Sequence, residues 1–205
     1  MPAQLTWPVE PDGPSAVVLV LHGGRDRSQA PVREWQTAVL RMRPFAGALA
    51  DASDGRIAVA AIRYAVRGWN GAAASPLRDT ELALEQVTGR HPDLPLGLLG
   101  HSMGGRVALQ LGGDERVRAI AALAPWVEPQ DPVRSHPGLH VLIRHGTRDR
   151  MTSPKRSKAY AEALAARGVD VTYESVSGGD HAMLRQASQW HQRTADYLVR
   201  QLLTD

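Results

Sequence analysis

Short apolar runs recur along the chain, separated by longer stretches in which apolar and polar positions mix. The runs are AVVLVLHG (16–23), RIAVAAIRY (56–64), LPLGLLG (94–100), RAIAALAPW (118–126), HVLIRHG (140–146) and DVTYESV (170–176). The first five are nearly continuous in apolar residues, as strands covered on both faces of a parallel sheet must be. The sixth alternates, which predicts an edge strand. Four of the intervening stretches carry helical spacing. Residues 75–91 open with Ser75 as N-cap and Pro76 at the first helical position, and place Leu77, Leu84 and Val87 on one face. Residues 102–112 end at Gly112, residues 153–168 repeat the Ser-Pro opening and stop at Gly168, and residues 186–203 close the chain. Within 25–55, Trp35, Val39 and Met42 share a helical face, and Pro44 suits a new helix starting at Phe45. Strands alternating with helices predict an α/β fold, a doubly wound and mostly parallel sheet of about six strands with helices on both faces. Ligands in such sheets bind at the carboxyl ends of the strands. The loops to search therefore begin at His22, Tyr64, Gly100, Trp126, Gly146 and Ser177.

At 205 residues, with no internal repeat and no low-complexity linker, the chain reads as one domain over 1–205. No apolar run approaches the ~20 residues that span a bilayer, and the start has neither a basic nor an apolar leader segment. Cysteine is absent, which excludes disulfides, a thiolate nucleophile and cysteine-ligated metal, and fits the cytoplasm. The net charge of +3 rests on 22 Arg and 2 Lys scattered along the chain rather than clustered, so no nucleic-acid surface is expected. His136 and His140 have a helical metal-ligand spacing, but Pro137 and Gly138 break the helix between them; His140 and His145 would face opposite sides of a strand. Neither pair supports a metal site. No G-x-G-x-x-G or P-loop spacing calls for a nucleotide cofactor.

The chemistry concentrates after the third run. Gly100-His101-Ser102-Met103-Gly104 is G-x-S-x-G placed after an apolar strand and before a helical pattern. That context needs glycines, because the serine sits on a sharp, strained turn that exposes its hydroxyl. The helix that follows directs its positive N-terminal end toward the same spot.

From GHSMGG, the HGG at 22–24 and the stretch IRYAVRGWNG, the sequence resembles the α/β-hydrolase fold superfamily, in its lipase, esterase and dienelactone-hydrolase-like branches. The resemblance runs from about Ala16 onward. It implies a cofactor-free serine hydrolase acting on small carboxylic esters, with Ser102 as nucleophile and the remaining partners in the order acid, then histidine. Asp149, after the fifth run, matches the acid; Glu128 and Asp131 are its rivals. His181, in Gly-Gly-Asp-His after the last run, matches the base. The chemistry requires all three, since a serine hydroxyl needs an imidazole to take its proton and the imidazole needs a carboxylate to fix its tautomer. The backbone N–H groups of Gly24 and Met103 are expected to form the oxyanion hole, with Arg25 next in line after Gly24. Trp69 and Trp126, at strand ends, are candidates for lining the substrate pocket or for simple packing. Thioester hydrolysis, acyl transfer, perhydrolysis and a non-catalytic binding role on the same fold remain alternatives.

Two further expectations concern the mouth of the site. Only residues 127–139, with Pro129, Pro132 and Pro137, separate the fourth and fifth runs, which leaves no room for a helical cap. Arg25, Arg27, Arg67, Arg148 and Arg150 fall in loops at the same end, and a field of that sign would favour anionic substrates. Against this, so many arginines must populate every loop.

Overall fold

A computed structural model describes residues 2–204. Its centre is a seven-stranded sheet: β1 (Gln4–Val9), β2 (Ala16–Leu21), β3 (Ile57–Arg63), β4 (Leu96–His101), β5 (Val117–Leu123), β6 (His140–Gly146) and β7 (Asp170–Val176). The spatial order is β1-β3-β2-β4-β5-β6-β7, with every neighbouring pair parallel except β1–β3. The six runs seen in the sequence are the parallel strands. β1 is the addition: its positions alternate between exposed and half-buried, it carries Pro8, and its register slips between Thr6 and Val9. Those are the marks of an edge strand, for which a continuous apolar run is not needed.

Alternation along each strand feeds two cores. Val17, Leu19 and Leu21 of β2 face α3 (Ser75–Arg90), α4 (Met103–Gln110) and α5 (Pro154–Ala165). Ala16, Val18 and Val20 face α2 (Arg43–Ala52) and α6 (Ala187–Leu203), where Phe45, Leu49, Trp190 and Leu198 are fully buried. The helix over 75–91 starts one residue earlier than its cap reading: Ala74 is the N-cap and Ser75 is the first helical residue. The segment after β2 departs further. Only a single-turn helix, α1 (Thr37–Leu40), forms there, and Trp35 precedes it with 68% of its surface exposed, rather than sharing a buried face with Met42. Pro44 does sit in the first turn of the next helix, α2.

Residues 127–139 contain no helix, so no cap is inserted after β5. No helix among the described residues is long and apolar enough to cross a membrane.

Chain order reverses at β2, whose neighbours are β3 on one side and β4 on the other. Leu21 of β2 lies in register with Gly100 of β4. The loops leaving these two strands therefore rise side by side, at the position where open α/β sheets hold their ligands.

Candidate active site

The turn after β4 is as tight as its glycines suggest. A Cβ on Gly100 would lie 2.2 Å from the Gly104 carbonyl oxygen, and one on Gly104 would lie 2.3 Å from that of Leu21. Ser102 between them has φ 55° and ψ −114°, a strained conformation for a residue with a side chain, costing about 1–3 kcal/mol. It is held by its own N–H donating to Leu123 O at 3.0 Å and by its carbonyl accepting from Trp126 N at 3.0 Å.

This strain presents Oγ to an imidazole. Ser102 Oγ is 3.1 Å from His181 Nε2, and His181 Nδ1 is 2.8 Å from Asp149 Oδ2. A hydroxyl donating to Nε2 and an Nδ1–H donating to the carboxylate make one consistent tautomer. The rivals of Asp149 are engaged elsewhere: Asp131 pairs with Arg106 at 2.5 Å and Glu128 with Arg156 at 2.6 Å.

Three residues support the Asp149 end that the sequence reading did not single out for this place. His145 Nε2 donates to Asp149 Oδ2 at 3.1 Å, while its Nδ1 accepts from the Ser157 hydroxyl at 2.8 Å. Thr152 donates its backbone N–H to Oδ1 at 2.9 Å and its hydroxyl to Oδ2 at 2.9 Å. Burial alone would push the Asp149 carboxyl up, but the hydrogen bonds from His145, His181 and Thr152 outweigh it and hold the group well below the usual carboxylate range. Asp149 is thus a fixed negative charge. The spacing of four between His145 and Asp149 was the available signal.

His22 and His101 lie beneath the site. His22 Nδ1 donates to Gly23 O at 2.6 Å and Nε2 accepts from Tyr64 N at 3.3 Å, which pins the loop after β2. His101 Nε2 donates to His181 O at 2.8 Å. Burial pushes His22 down to about 4 and His101 down to about 3, so both are neutral at pH 7.

The loop after β2 reaches the elbow. A Cβ on Gly23 would lie 3.3 Å from Ser102 Cβ, and one on Gly24 would lie 2.3 Å from the end of the Met103 side chain and 2.5 Å from Arg67 O. The backbone N–H groups of Gly24 and Met103 have no protein acceptor among the described residues. The N–H of Arg25 donates to Arg67 O at 2.8 Å and is unavailable to a ligand.

Beside Ser102 opens a cavity of about 630 Å³, bordered by Gly24, His101 and His181 on one part and by Trp35, Arg41 and Arg67 on another. Trp69 and Trp126 do not line it. Trp69 is only 6% exposed and meets Trp126 edge-to-face at 6.4 Å, with the Arg106 guanidinium over both rings at 4.0 and 4.6 Å. Trp126 borders a separate depression with Glu128 and Thr152. The packing reading is the one that fits Trp69. Of the mouth arginines, Arg25 and Arg67 line the cavity, whereas Arg148 and Arg150 border another hollow. His136 and His140 are spent on Val117 O and Asp170, and no group of three potential metal ligands exists among the described residues.

The family model for serine aminopeptidases of the S33 family matches residues 63–141. Many solved structures share the fold. A lid-less α/β serine hydrolase from Xanthomonas campestris superposes with a TM-score of 0.71 at 18% identity, covering 99% of this chain and 90% of that one. A serine hydrolase homologue from Coxiella burnetii gives 0.69 at 16% identity over 96% and 90%, and Est1E from Butyrivibrio proteoclasticus 0.68 at 13% over 98% and 94%. These likenesses and the topology show that the chain has the fold of the α/β hydrolases. No curated protein sequence matches it significantly.

Proposed function

We propose that the protein is a cofactor-free serine hydrolase of small carboxylic esters with short to medium acyl chains. The observation that carries this reading is the continuous line from Ser102 Oγ through His181 to Asp149, at 3.1 and 2.8 Å. Ser102 Oγ attacks the acyl carbonyl while His181 Nε2 takes its proton. The oxygen turns negative, facing the free N–H groups of Gly24 and Met103 and the N-terminal end of α4. His181 then returns the proton to the departing alcohol, leaving an acyl-serine. Water, deprotonated by His181, attacks that ester and releases the acid. Throughout, Asp149 orients the ring and offsets the charge of the imidazolium.

Peptide cleavage at an N-terminus is the second reading, suggested by the family model. An α-ammonium group asks for a carboxylate beside the nucleophile, and no Asp or Glu lines the cavity. That speaks for an ester.

The test combines a fluorophosphonate probe with substrates. The probe is expected to label Ser102, 4-nitrophenyl esters of C2 to C8 acids to be cleaved, and amino-acid 4-nitroanilides to be left intact. Ser102→Ala or His181→Ala should each lower kcat by about 10⁶, and Asp149→Asn by roughly 10⁴. Absent labelling, or an active Ser102→Ala, would refute the mechanism.

A further inference from the structure

Arg41, at the C-terminal end of α1, is half-buried in the wall of the cavity beside Ser102. Its side chain makes no hydrogen bond and no ion pair to any described residue. Burial presses its pKa down, and the charge of Asp180 only partly offsets this. A guanidinium has five donors in a fixed fork, and leaving it half-desolvated without an acceptor is unfavourable. The neighbouring cation is different: Arg67 is held by neutral acceptors, with Nε donating to Pro31 O at 3.0 Å and the Gln36 side-chain carbonyl within 2.5 Å once its amide is turned. Its charge is therefore also uncompensated.

A second polar group, beneath the same cavity, is unsatisfied. His101 is nearly fully buried, its Nε2 is committed to His181 O, and its Nδ1 has no partner. Arg41 is close enough for its charge to act on that ring. The cavity wall thus carries an unfilled donor fork on Arg41 and a second arginine held only by neutral acceptors, with no carboxylate in its lining. At about 630 Å³ it holds far more than a short acyl chain.

We infer that Arg41 forms an anion subsite and that the ester cleaved at Ser102 carries a second, anionic group, a carboxylate or a phosphate, which the guanidinium grips. The inference rests on the ester-hydrolase reading for its catalytic half, but the binding half stands apart from catalysis. An anion in this place supplies the acceptors that Arg41 lacks, and charge-assisted bonds of this kind are the strong ones. A neutral ester of the same length would leave the fork unpaired.

Two measurements test this. Hydrolysis of monoethyl adipate and of ethyl hexanoate is followed by pH-stat, since the two acyl chains match in length and differ in the terminal carboxylate. Wild-type kcat/KM is expected to favour the adipate ester about tenfold at low ionic strength, and the preference to shrink as KCl is added. In Arg41→Gln the ratio should fall at least tenfold, and Arg41→Lys, which keeps the charge without the fork, should retain part of it. A ratio near one in the wild type, or a ratio in Arg41→Gln within twofold of the wild type, overturns the proposal. Binding is read separately by calorimetry on Ser102→Ala, with adipate and hexyl phosphate as probes. Whichever binds more tightly identifies the anion, and loss of that binding in the Ser102→Ala/Arg41→Gln double variant supports the subsite. Binding of neither probe overturns it. If binding is seen but no ester is turned over, the hydrolase reading fails while the subsite stands.

Discussion

Two arginines with tryptophan neighbours lie at the carboxyl end of this sheet, and they could hardly differ more. Arg106, on α4, is 7% exposed, stacked against Trp69 and Trp126, and paired with a buried carboxylate of Asp131 that also accepts from Gln110 and from the Glu128 N–H. Every requirement of its charge is met inside the protein. Arg41 shares its cavity wall with the exposed Trp35 and has no acceptor at all. The first group is closed and belongs to the architecture; the second is open and presents its chemistry outward. Pairing, rather than residue type or strand-end position, separates a structural arginine from one available to a ligand.

The comparison breaks most visibly at Arg106. Arg106→Gln leaves the Asp131 carboxylate buried without its counter-charge, a change costing about 3–5 kcal/mol. For a domain near 200 residues each kcal/mol moves Tm by roughly 2–4 °C, so thermal unfolding is expected about 10 °C lower. Arg41→Gln, which removes no internal bond, should shift Tm by no more than a degree or two. If the two variants melt alike, the distinction between a closed and an open arginine is wrong.

The buried histidines under the cavity sharpen the contrast through pH. His22 is pushed down to about 4 and His101 to about 3, both by burial, from an ordinary 6.5. Between those values and 6.5 the unfolded chain binds more protons than the folded one, so stability falls as the solution is acidified through that window. For His22 alone the full loss approaches roughly 3 kcal/mol, at about 1.4 kcal/mol per pKa unit. Tm measured from pH 7 to pH 4 should therefore decline, and His22→Asn should flatten the decline. Parallel curves for the variant and the wild type would show that His22 is not held neutral by the fold.

The parallel strands β2 to β6 were legible because burial on both faces leaves a continuous apolar run, and β7 because it alternates as an edge strand does. Ser102, Asp149 and His181, read from their order after strands, lie within hydrogen-bond reach of one another. β1 was not legible: an edge strand with one half-buried face needs no such run, and its Pro8 points away from a strand. The tryptophans were left open. Trp69, after a strand, could line a pocket or pack, and the cation–π sandwich that buries it depends on Arg106, far along the chain. Trp35 was placed on a helical face with Val39 and Met42, but the helix on which that spacing depends begins only at Thr37. Arg41 gave no signal, because the absence of a partner exists only in three dimensions.

The smallest expected effect concerns Trp35. It is exposed, precedes a single-turn helix and borders the cavity, so under the proposed ester hydrolysis it is the apolar surface that an acyl or alcohol chain would meet first. Trp35→Ala should leave stability within about 0.5 kcal/mol of the wild type, as surface substitutions do. It should raise KM for 4-nitrophenyl octanoate by about three- to tenfold, equivalent to ~1 kcal/mol of lost apolar contact, and disturb the acetate ester less. Trp69→Phe should do the reverse: lower Tm by loosening the stack on Arg106 and leave the octanoate-to-acetate ratio in place. Because no cap follows β5, activity should also rise smoothly with substrate concentration through the critical micelle concentration. A jump at that point, or a larger KM effect from Trp69→Phe than from Trp35→Ala, would reverse the roles of the two tryptophans and with them the distinction between the closed cluster and the open wall.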